Sequence, residues 1–310
     1  MESAPVKAVT LVLAFILGVA ASWLLSGVTP GAPTPDAPAT DPAVAAYRYK
    51  RVIAMSPAAV EIVYAVGGAS RVVGVCEHAV VPPEAFEHPT CGGAFNPNLE
   101  MILALRPDLV VTQGEAEDLV RFGCDNGIEI ASLPLSDLES VFASIAEVGR
   151  LLETGAEADV VCAEMRWRMA RVRARASSRV PVHGVLVAWR DPGALTGLSV
   201  VGPGSFLHDL MEAAGARNVF ADLPGQYAPV SKEALLERGP DVIVELHGEG
   251  GSEQRTQREA RRVWQSLPSL PAVQNGRVYA LESTYAMIPG PRVVELAERL
   301  IEVFHPEEAR

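Results

Sequence analysis

The chain has 310 residues, 49% of them hydrophobic, and a formal net charge of −12 at pH 7. This length and apolar content suffice for one large core or two smaller ones. The acidic balance argues against a nucleic-acid partner, and the most basic run, at 166–179, lies in a helix-like segment and is explained by a solvated helix face.

The N-terminal residues 1–28 include an uncharged apolar stretch that follows Lys7, and the next basic residue is Arg48. This asymmetry predicts a cytoplasmic N-terminus with the rest of the chain outside. The stretch is long enough to span a bilayer, and the small residues at 19–21 also resemble a signal-peptide cleavage site. A cleaved signal peptide and a retained anchor therefore both stay open. Either one predicts an exported protein, periplasmic or at the cell surface. A retained anchor would also tether it to the membrane.

Residues 29–47 are rich in proline and predict a stiff, extended linker. The folded body is expected to begin at residue 48 with a strand at 51–55 and a helix after Ser56 and Pro57. A second strand at 71–75 is followed by a long irregular segment at 76–97. A loop of that length in a compact domain is usually functional.

A helix–strand block occurs twice in the chain. The first copy begins at Asn98, contains Glu100, and ends in a Pro-Asp pair followed by an apolar strand. The second copy begins at Ser231, contains Glu233, and ends in the same way. Each glutamate lies seven residues before the proline. Further blocks repeat in the same order, so the sequence predicts two similar lobes.

A helix without internal proline or glycine is predicted at 156–178, between the two copies. Strands alternate with helices on both sides of it, which indicates a parallel sheet in each lobe. We therefore predict an α/β fold in which lobes at 48–155 and 179–310 are joined by one long rigid helix, with a ligand cleft between them.

Candidate ligand-binding residues follow the predicted strands, because open parallel sheets bind ligands beyond the carboxyl ends of their strands. Two aromatic residues precede the repeated helices and are placed at the rim of the same cleft. The main candidates are Ser56, His78, Phe95, Gln113, Arg190, Tyr227, His247 and Tyr285, and Glu77, Trp189 and Glu245 follow the same strands. The set suits a large, flat, partly charged ligand.

Simpler explanations exist for the same residues. A histidine in a loop is more often solvated than bound to a metal, and a tyrosine often only packs. Arg190 precedes Asp191 and Pro192, so it fits either an anion clamp or a salt bridge within a turn. Cys76 and Cys91 bracket one loop and are the first choice for a disulfide, although four cysteines allow three pairings.

No catalytic signature is present. The sequence lacks the nucleophile turn of α/β-hydrolases, the phosphate-binding loop, the dinucleotide fingerprint and the zinc-protease helix motif. No C-x-x-C pair supports a structural metal site. We therefore predict a binding protein that is not an enzyme and has no resident cofactor. A membrane-anchored sensor or enzyme on the same frame is the alternative.

Glu100 and Glu233 have a local explanation, because a carboxylate in the first turn of a helix interacts favourably with the helix dipole. Their recurrence at matching positions of both lobes predicts more. One exposed carboxylate per lobe suits docking onto arginines of a two-fold symmetric partner.

Four segments together resemble the helical-backbone substrate-binding proteins of ABC importers. They are 51–57, the first repeated block, the Val230–Glu233 segment, and Gly290-Pro291-Arg292. The resemblance extends from about residue 48 to residue 305, and the cobalamin-binding type is the most similar. It implies two lobes bridged by one helix and transfer of cargo to a membrane permease.

The resemblance also implies roles for individual residues. Glu100 and Glu233 correspond to the glutamates that meet arginines of the permease, and Tyr227 and Tyr285 stand where cobalamin-binding members have tryptophans. The tryptophan expected before the first glutamate is replaced by Ala94-Phe95. The expected cargo is a metal chelate, a corrinoid first, with iron–siderophore or haem as alternatives. We expect a monomer.

Overall fold

The computed structural model of the protein describes residues 47–79, 82–93, 96–248 and 253–306. The predicted signal peptide or anchor at 1–28 lies outside the described residues, as does the linker at 29–47 apart from its last residue. Within the described ranges, no helix has the length and apolar character needed to cross a membrane.

The N-terminal lobe is built on a four-stranded sheet. Its strands are β1 Val52–Ala54, β2 Val72–Val75, β3 Leu109–Gln113 and β4 Glu129–Leu133. All pair in parallel, in the order β2-β1-β3-β4. The two central strands are buried almost throughout, as expected for a parallel sheet that is covered on both faces.

Helices with well-defined starts pack around this sheet. They are α1 Pro57–Ala65, α2 Leu99–Leu105, α3 Glu117–Asn126 and α4 Leu138–Leu151. Ser56, Asn98 and Asp137 cap α1, α2 and α4 by accepting a backbone N–H of the first turn. Such a cap is worth about 1 kcal/mol.

The helix α5, Gly155–Ser177, connects the two lobes. Its length of about 35 Å follows from a rise of about 1.5 Å per residue. The buried side chains recur every three or four residues and therefore form one face. They are Ala158, Cys162, Met165, Met169, Val172 and Ala176.

The C-terminal lobe contains a mixed sheet. Its strands are β5 Val182–Trp189, β6 Ser199–Val201, β7 Ala216–Asn218, β8 Tyr227–Pro229, β9 Val242–His247 and β10 Val278–Glu282. The order is β10-β9-β5-β6-β8, and β7 pairs with the start of β5. β9 runs parallel to both β10 and β5, whereas β6 is antiparallel to both β5 and β8.

The two-lobed α/β architecture is confirmed, and the structure refines the expected sheet of the second lobe. The connection from β5 to β6 is too short for a parallel crossover, which needs a dozen or more residues. It is closed by a hydrogen bond from Asp191 N–H to the carbonyl of Thr196. The chain therefore returns antiparallel. The helices of this lobe are α6 Phe206–Ala213, α7 Lys232–Arg238, α8 Glu253–Trp264, α9 Pro271–Gln274 and α10 Val293–Phe304.

One hydrophobic cluster runs through both lobes. It contains Val52 and Ala58 of the N-terminal lobe, Met165 of α5, and Leu207 and Leu296 of the C-terminal lobe. Two smaller clusters, one per lobe, pack separately from it. The helix α5 is thus a central element of a shared core.

Backbone contacts also join the lobes near the ends of their strands. The N–H of Phe206 donates to the carbonyl of Ser136 over 2.6 Å. The N–H of Leu138 donates to the Asp209 carboxylate over 2.8 Å. Ser136 follows the carboxyl end of β4 and Phe206 follows that of β6. These contacts join the segment after β4 to the start of α6 in the other lobe.

Candidate ligand-binding site

A pocket of about 520 Å³ opens at the carboxyl ends of β5 and β9. This is the edge at which open α/β sheets bind ligands. The pocket is lined by aromatic, charged and thioether side chains, among them Trp189, Arg190, Glu245, His247, Glu259 and Met287. A larger groove of about 870 Å³ lies along α5, between Arg166 and Glu212, away from this edge.

A buried ion pair forms the floor of the pocket. Arg190 Nε donates to Glu245 Oε1 over 2.5 Å, and Arg190 Nη2 donates to Oε2 over 3.1 Å. The side chains are 5% and 2% exposed. Trp264 Nε1 adds a third hydrogen bond to Glu245 Oε1 over 2.7 Å. The predicted turn salt bridge of Arg190 is therefore replaced by a bidentate pair between strands, which directs the guanidinium toward protein groups.

The electrostatics of Glu245 follow from these contacts. Burial by itself raises the pKa of a carboxyl, because it disfavours the charged form. Hydrogen bonds from His247, Arg190 and Trp264, together with the charge of Arg190, outweigh that effect and lower the pKa of Glu245 below its ordinary value. Glu245 is therefore a carboxylate at neutral pH and accepts hydrogen bonds without donating any.

His247 lies at the end of β9 with its ring partly exposed to the pocket. Its Nε2 is 2.9 Å from Glu245 Oε2. Because the carboxylate only accepts, Nε2 carries a proton, and in the neutral form of the ring Nδ1 carries the lone pair. Metal-binding histidines typically donate their second N–H to a carboxylate in this way. The arrangement prepares Nδ1 to meet a polar hydrogen or a chelated metal.

The exposed wall of the pocket is formed by Trp189, which the strand ends predict, and by Met287, which they do not. Trp189, the last residue of β5, is 63% exposed, and Met287 is 39% exposed. Large apolar side chains with that exposure next to a pocket are typical of ligand contacts. Trp189 is predicted from its place at the carboxyl end of a predicted strand, although the strand period alone would turn it to the same side as the buried Val187. Met287 follows no strand directly, and no sequence signal identifies it.

The two predicted tyrosines are not among the residues that line this pocket. Tyr227 is 38% exposed. Burial raises the pKa of its phenol, and an interaction with the Ser205 side chain lowers it, with burial the larger effect. Tyr285 is half-buried, and the guanidinium of Arg292 lies 4.8 Å from its ring centre.

The candidates in the N-terminal lobe are not brought into the pocket. Ser56 is buried, and its hydroxyl is used as the cap of α1. Gln113 is half-buried at the end of β3, and His78 is exposed, 3.4 Å from Glu77. The residues at 94–95, which include the predicted Phe95, lie outside the described residues. Of the eight main candidates, the pocket unites Arg190 and His247, together with Trp189 and Glu245, which follow the same two strands.

Glu100 and Glu233 are both exposed in the first turns of α2 and α7. The pKa of Glu233 is lowered by its own backbone N–H and by the Ser231 side chain. Exposed leucines accompany both glutamates: Leu99 and Leu103 on α2 and Leu236 on α7 are 40%, 43% and 41% exposed. Leu99 and Leu103 stay exposed because only one side of this short helix meets the core, at Ile102.

The structure does not form the predicted disulfide. Cys76 and Cys91 are buried free thiols. Cys76 packs into the cluster that runs through both lobes, whereas Cys91 packs into the separate cluster of the N-terminal lobe, and the charge of Cys76 still acts on the Cys91 thiol. Burial raises the pKa of each thiol to about 11. Among the described residues, no group of three or more His, Cys, Asp or Glu side chains is placed to hold a metal ion.

The fold and this pocket define a two-lobed binding protein. Residues 52–285 match the periplasmic binding protein family. The chain belongs to that family, and the prediction of a substrate-binding protein is confirmed.

Individual relatives resemble the chain over most of its length. An uncharacterized ABC transporter substrate-binding lipoprotein of Bacillus subtilis is 27% identical, with 83% of this chain and 81% of the relative covered. A vitamin B12-binding protein of Vibrio cholerae is 26% identical, with 81% and 87% covered. A periplasmic heme-binding protein of Pseudomonas aeruginosa has the same fold, with a TM-score of 0.71 at 24% identity over 84% of this chain and 94% of that chain.

Proposed function

We propose that the protein is the extracytoplasmic substrate-binding component of an ABC importer and that its cargo is a metal chelate, a corrinoid first. The observation that carries this proposal is the exposed Trp189 beside a pocket with a buried charged floor. A planar aromatic face suits a large ring ligand, and the polar groups below it suit amide or carboxylate substituents. The names of the relatives in Bacillus subtilis and Vibrio cholerae support the transport role and the corrinoid.

Calorimetric titration of the full-length protein tests the cargo. We expect one-to-one binding of cyanocobalamin and weaker binding after Trp189→Ala. The matched control is Trp167→Ala, because Trp167 is 59% exposed but lies on α5, stacked against Arg171 and away from the pocket. Equal losses for the two variants contradict the assignment of the pocket.

Haem is the second candidate cargo, favoured by the His247–Glu245 contact. A neutral imidazole whose Nε2 is held by a carboxylate presents Nδ1 as an axial ligand. Titration with haemin is then expected to give a strong Soret band that changes after His247→Ala. A ferric hydroxamate completes the panel. Failure of all three probes favours the alternative of a tethered sensor or enzyme.

Docking to a permease is proposed for Glu100 and Glu233, since each places an exposed carboxylate at a helix start in its own lobe. The double variant Glu100→Arg plus Glu233→Arg is expected to abolish cargo uptake in cells while the protein stays folded and binds its ligand. Glu117→Arg plus Asp118→Arg is the control. It changes the net charge equally, at exposed first-turn positions of α3. Uptake that survives the first pair refutes the docking role.

A further inference from the structure

Gly290-Pro291-Arg292, a motif that the pocket does not use, lies where the two lobes meet. We propose that Arg292 is a positioning residue that ties a carboxylate of the N-terminal lobe to the ring of Tyr285 and so fixes that ring where the two lobes meet. The proposal rests on the proposed function for the cargo, and on the resemblance for Tyr285 as a ligand contact. The junction itself is independent of the cargo.

The first half of the junction is a bidentate ion pair between lobes. Arg292, directly before α10, donates from Nη2 to Glu61 Oε1 over 2.6 Å and from Nε to Oε2 over 3.3 Å. Glu61 lies on α1, which follows the first strand of the other lobe, and its side chain is 5% exposed. A planar fork on a carboxylate fixes the orientation of the guanidinium as well as its position.

The backbone at Gly290 passes close to the Glu61 carboxylate. A Cβ on Gly290 would lie 2.7 Å from Glu61 Oε2 and 3.4 Å from Glu61 Cβ. Glycine therefore allows the chain of one lobe to approach the buried side chain of the other. The pKa of Glu61 is raised above its ordinary value, because burial outweighs the lowering effect of Arg292, and the charge of Glu295 raises it further.

The second half of the junction is the contact with Tyr285. The Arg292 guanidinium lies 4.8 Å from the centre of the Tyr285 ring, within the range of a cation–π interaction. The N–H of Tyr285 donates to the Ser283 hydroxyl over 3.2 Å, which fixes the backbone of the turn. The ring is thus held by a side chain whose own orientation is set from the opposite lobe.

A matched ion pair elsewhere provides the control. Arg168 on α5 makes a bidentate pair with Glu298 on α10, with distances of 3.0 and 2.6 Å. Both Arg168 and Arg292 have side chains 24% exposed. The chain's six tyrosines keep their ring signals resolvable by NMR. The test compares Arg292→Lys and Glu61→Gln with Arg168→Lys in protein labelled on its tyrosine rings, with Tyr285→Phe identifying the Tyr285 signal.

Without any ligand, we expect Arg292→Lys and Glu61→Gln to shift the Tyr285 signal and Arg168→Lys to leave it in place. A Tyr285 signal unchanged by Glu61→Gln overturns the proposal, whether or not the cargo is known. Equal shifts of the Tyr285 signal in all three variants also overturn the proposal, because they show that any lost ion pair loosens the structure around the ring.

The same variants are then titrated with cyanocobalamin and haemin. Loss of the ring contact predicts an affinity about fivefold lower for Arg292→Lys. We expect no further loss when Arg292→Lys is added to Tyr285→Ala. An equal loss in both backgrounds contradicts action through Tyr285. Absence of binding by the wild type refutes the cargo, and the ring signal alone then decides the junction.

Discussion

The two copies of the repeated helix–strand block differ most where their strands end. Aligned on the Pro-Asp pair, Thr112 of β3 and Glu245 of β9 occupy the same position, and each is 1% exposed. The Thr112 hydroxyl has no hydrogen-bond partner among the described residues. The Glu245 carboxylate accepts from Arg190, Trp264 and His247.

The starts of the two copies are much more alike. Each helix has a side-chain cap, an exposed glutamate in its first turn, and a left-handed residue at its end. The helices of the two copies therefore present an exposed glutamate from each lobe. The strand ends differ, and only the end of β9 supplies a buried polar network, in the C-terminal lobe. The candidate docking residues, Glu100 and Glu233, therefore occupy equivalent positions in the two copies. Among the described residues, the candidate binding pocket has no counterpart at the equivalent strand end of the first copy.

The largest effect on stability is expected from removing the carboxylate of Glu245. Glu245→Ala leaves the Arg190 charge buried without its partner, which lowers the free energy of unfolding by about 3–5 kcal/mol. Thr112→Val is the matched change, and it removes an unpaired hydroxyl at nearly constant volume. We expect it to raise stability by about 1 kcal/mol. Urea unfolding measures both, and similar losses for the two variants would contradict the comparison.

Lowering the pH should also distinguish Glu245 from Thr112. The pKa of Glu245 is lower in the folded state than its ordinary value of 4.5, so the unfolded chain binds the proton more readily. The stability gained from this shift is fully present above the unfolded-state pKa, and it is lost as the pH falls through the folded-state pKa. The gap in unfolding free energy between wild type and Glu245→Gln should therefore shrink below pH 4.5. The gap for Thr112→Val should not titrate.

The smallest effect concerns the helix ends. Arg106 ends α2 in the left-handed region with φ 46°, whereas α7 ends at Gly239 with φ 51°. Because that region costs an L-residue about 1 kcal/mol, Arg106→Gly should stabilise the protein by about that amount, and Gly239→Ala should destabilise it by as much. Thermal unfolding checks both. Changes of the same sign would show that side-chain contacts outweigh the backbone preference.

Local patterns predict much of this architecture. The uninterrupted helical segment at 156–178 is found as Gly155–Ser177, and the first repeated block is found with its cap at Asn98 and its strand beginning at Leu109. These features depend on proline, glycine and capping residues, which act within a few positions. The three-residue strands β6, β7 and β8 carry too little periodicity to be recognised before their partners are known.

The candidate site is less accessible to such reasoning. Arg190 and Glu245 are 55 residues apart, and nothing in either segment indicates that two adjacent strands bring them together. The same limit applies to Glu61 and Arg292, which are 231 residues apart. Carboxyl ends of strands indicate where polar residues gather. They do not show which of these residues neutralise one another and which remain for a ligand, as Ser56 demonstrates by serving as a helix cap.

The cluster that passes through α5 has a consequence for how the molecule melts. Because Val52, Met165 and Leu296 belong to one packed core, neither lobe keeps its interior when the other opens. Thermal denaturation should then give a single heat-absorption peak whose calorimetric and van't Hoff enthalpies agree. The two lobes, which look independent in sequence because of the repeat, therefore unfold as one cooperative unit. A destabilising substitution in either lobe should lower the melting temperature of both.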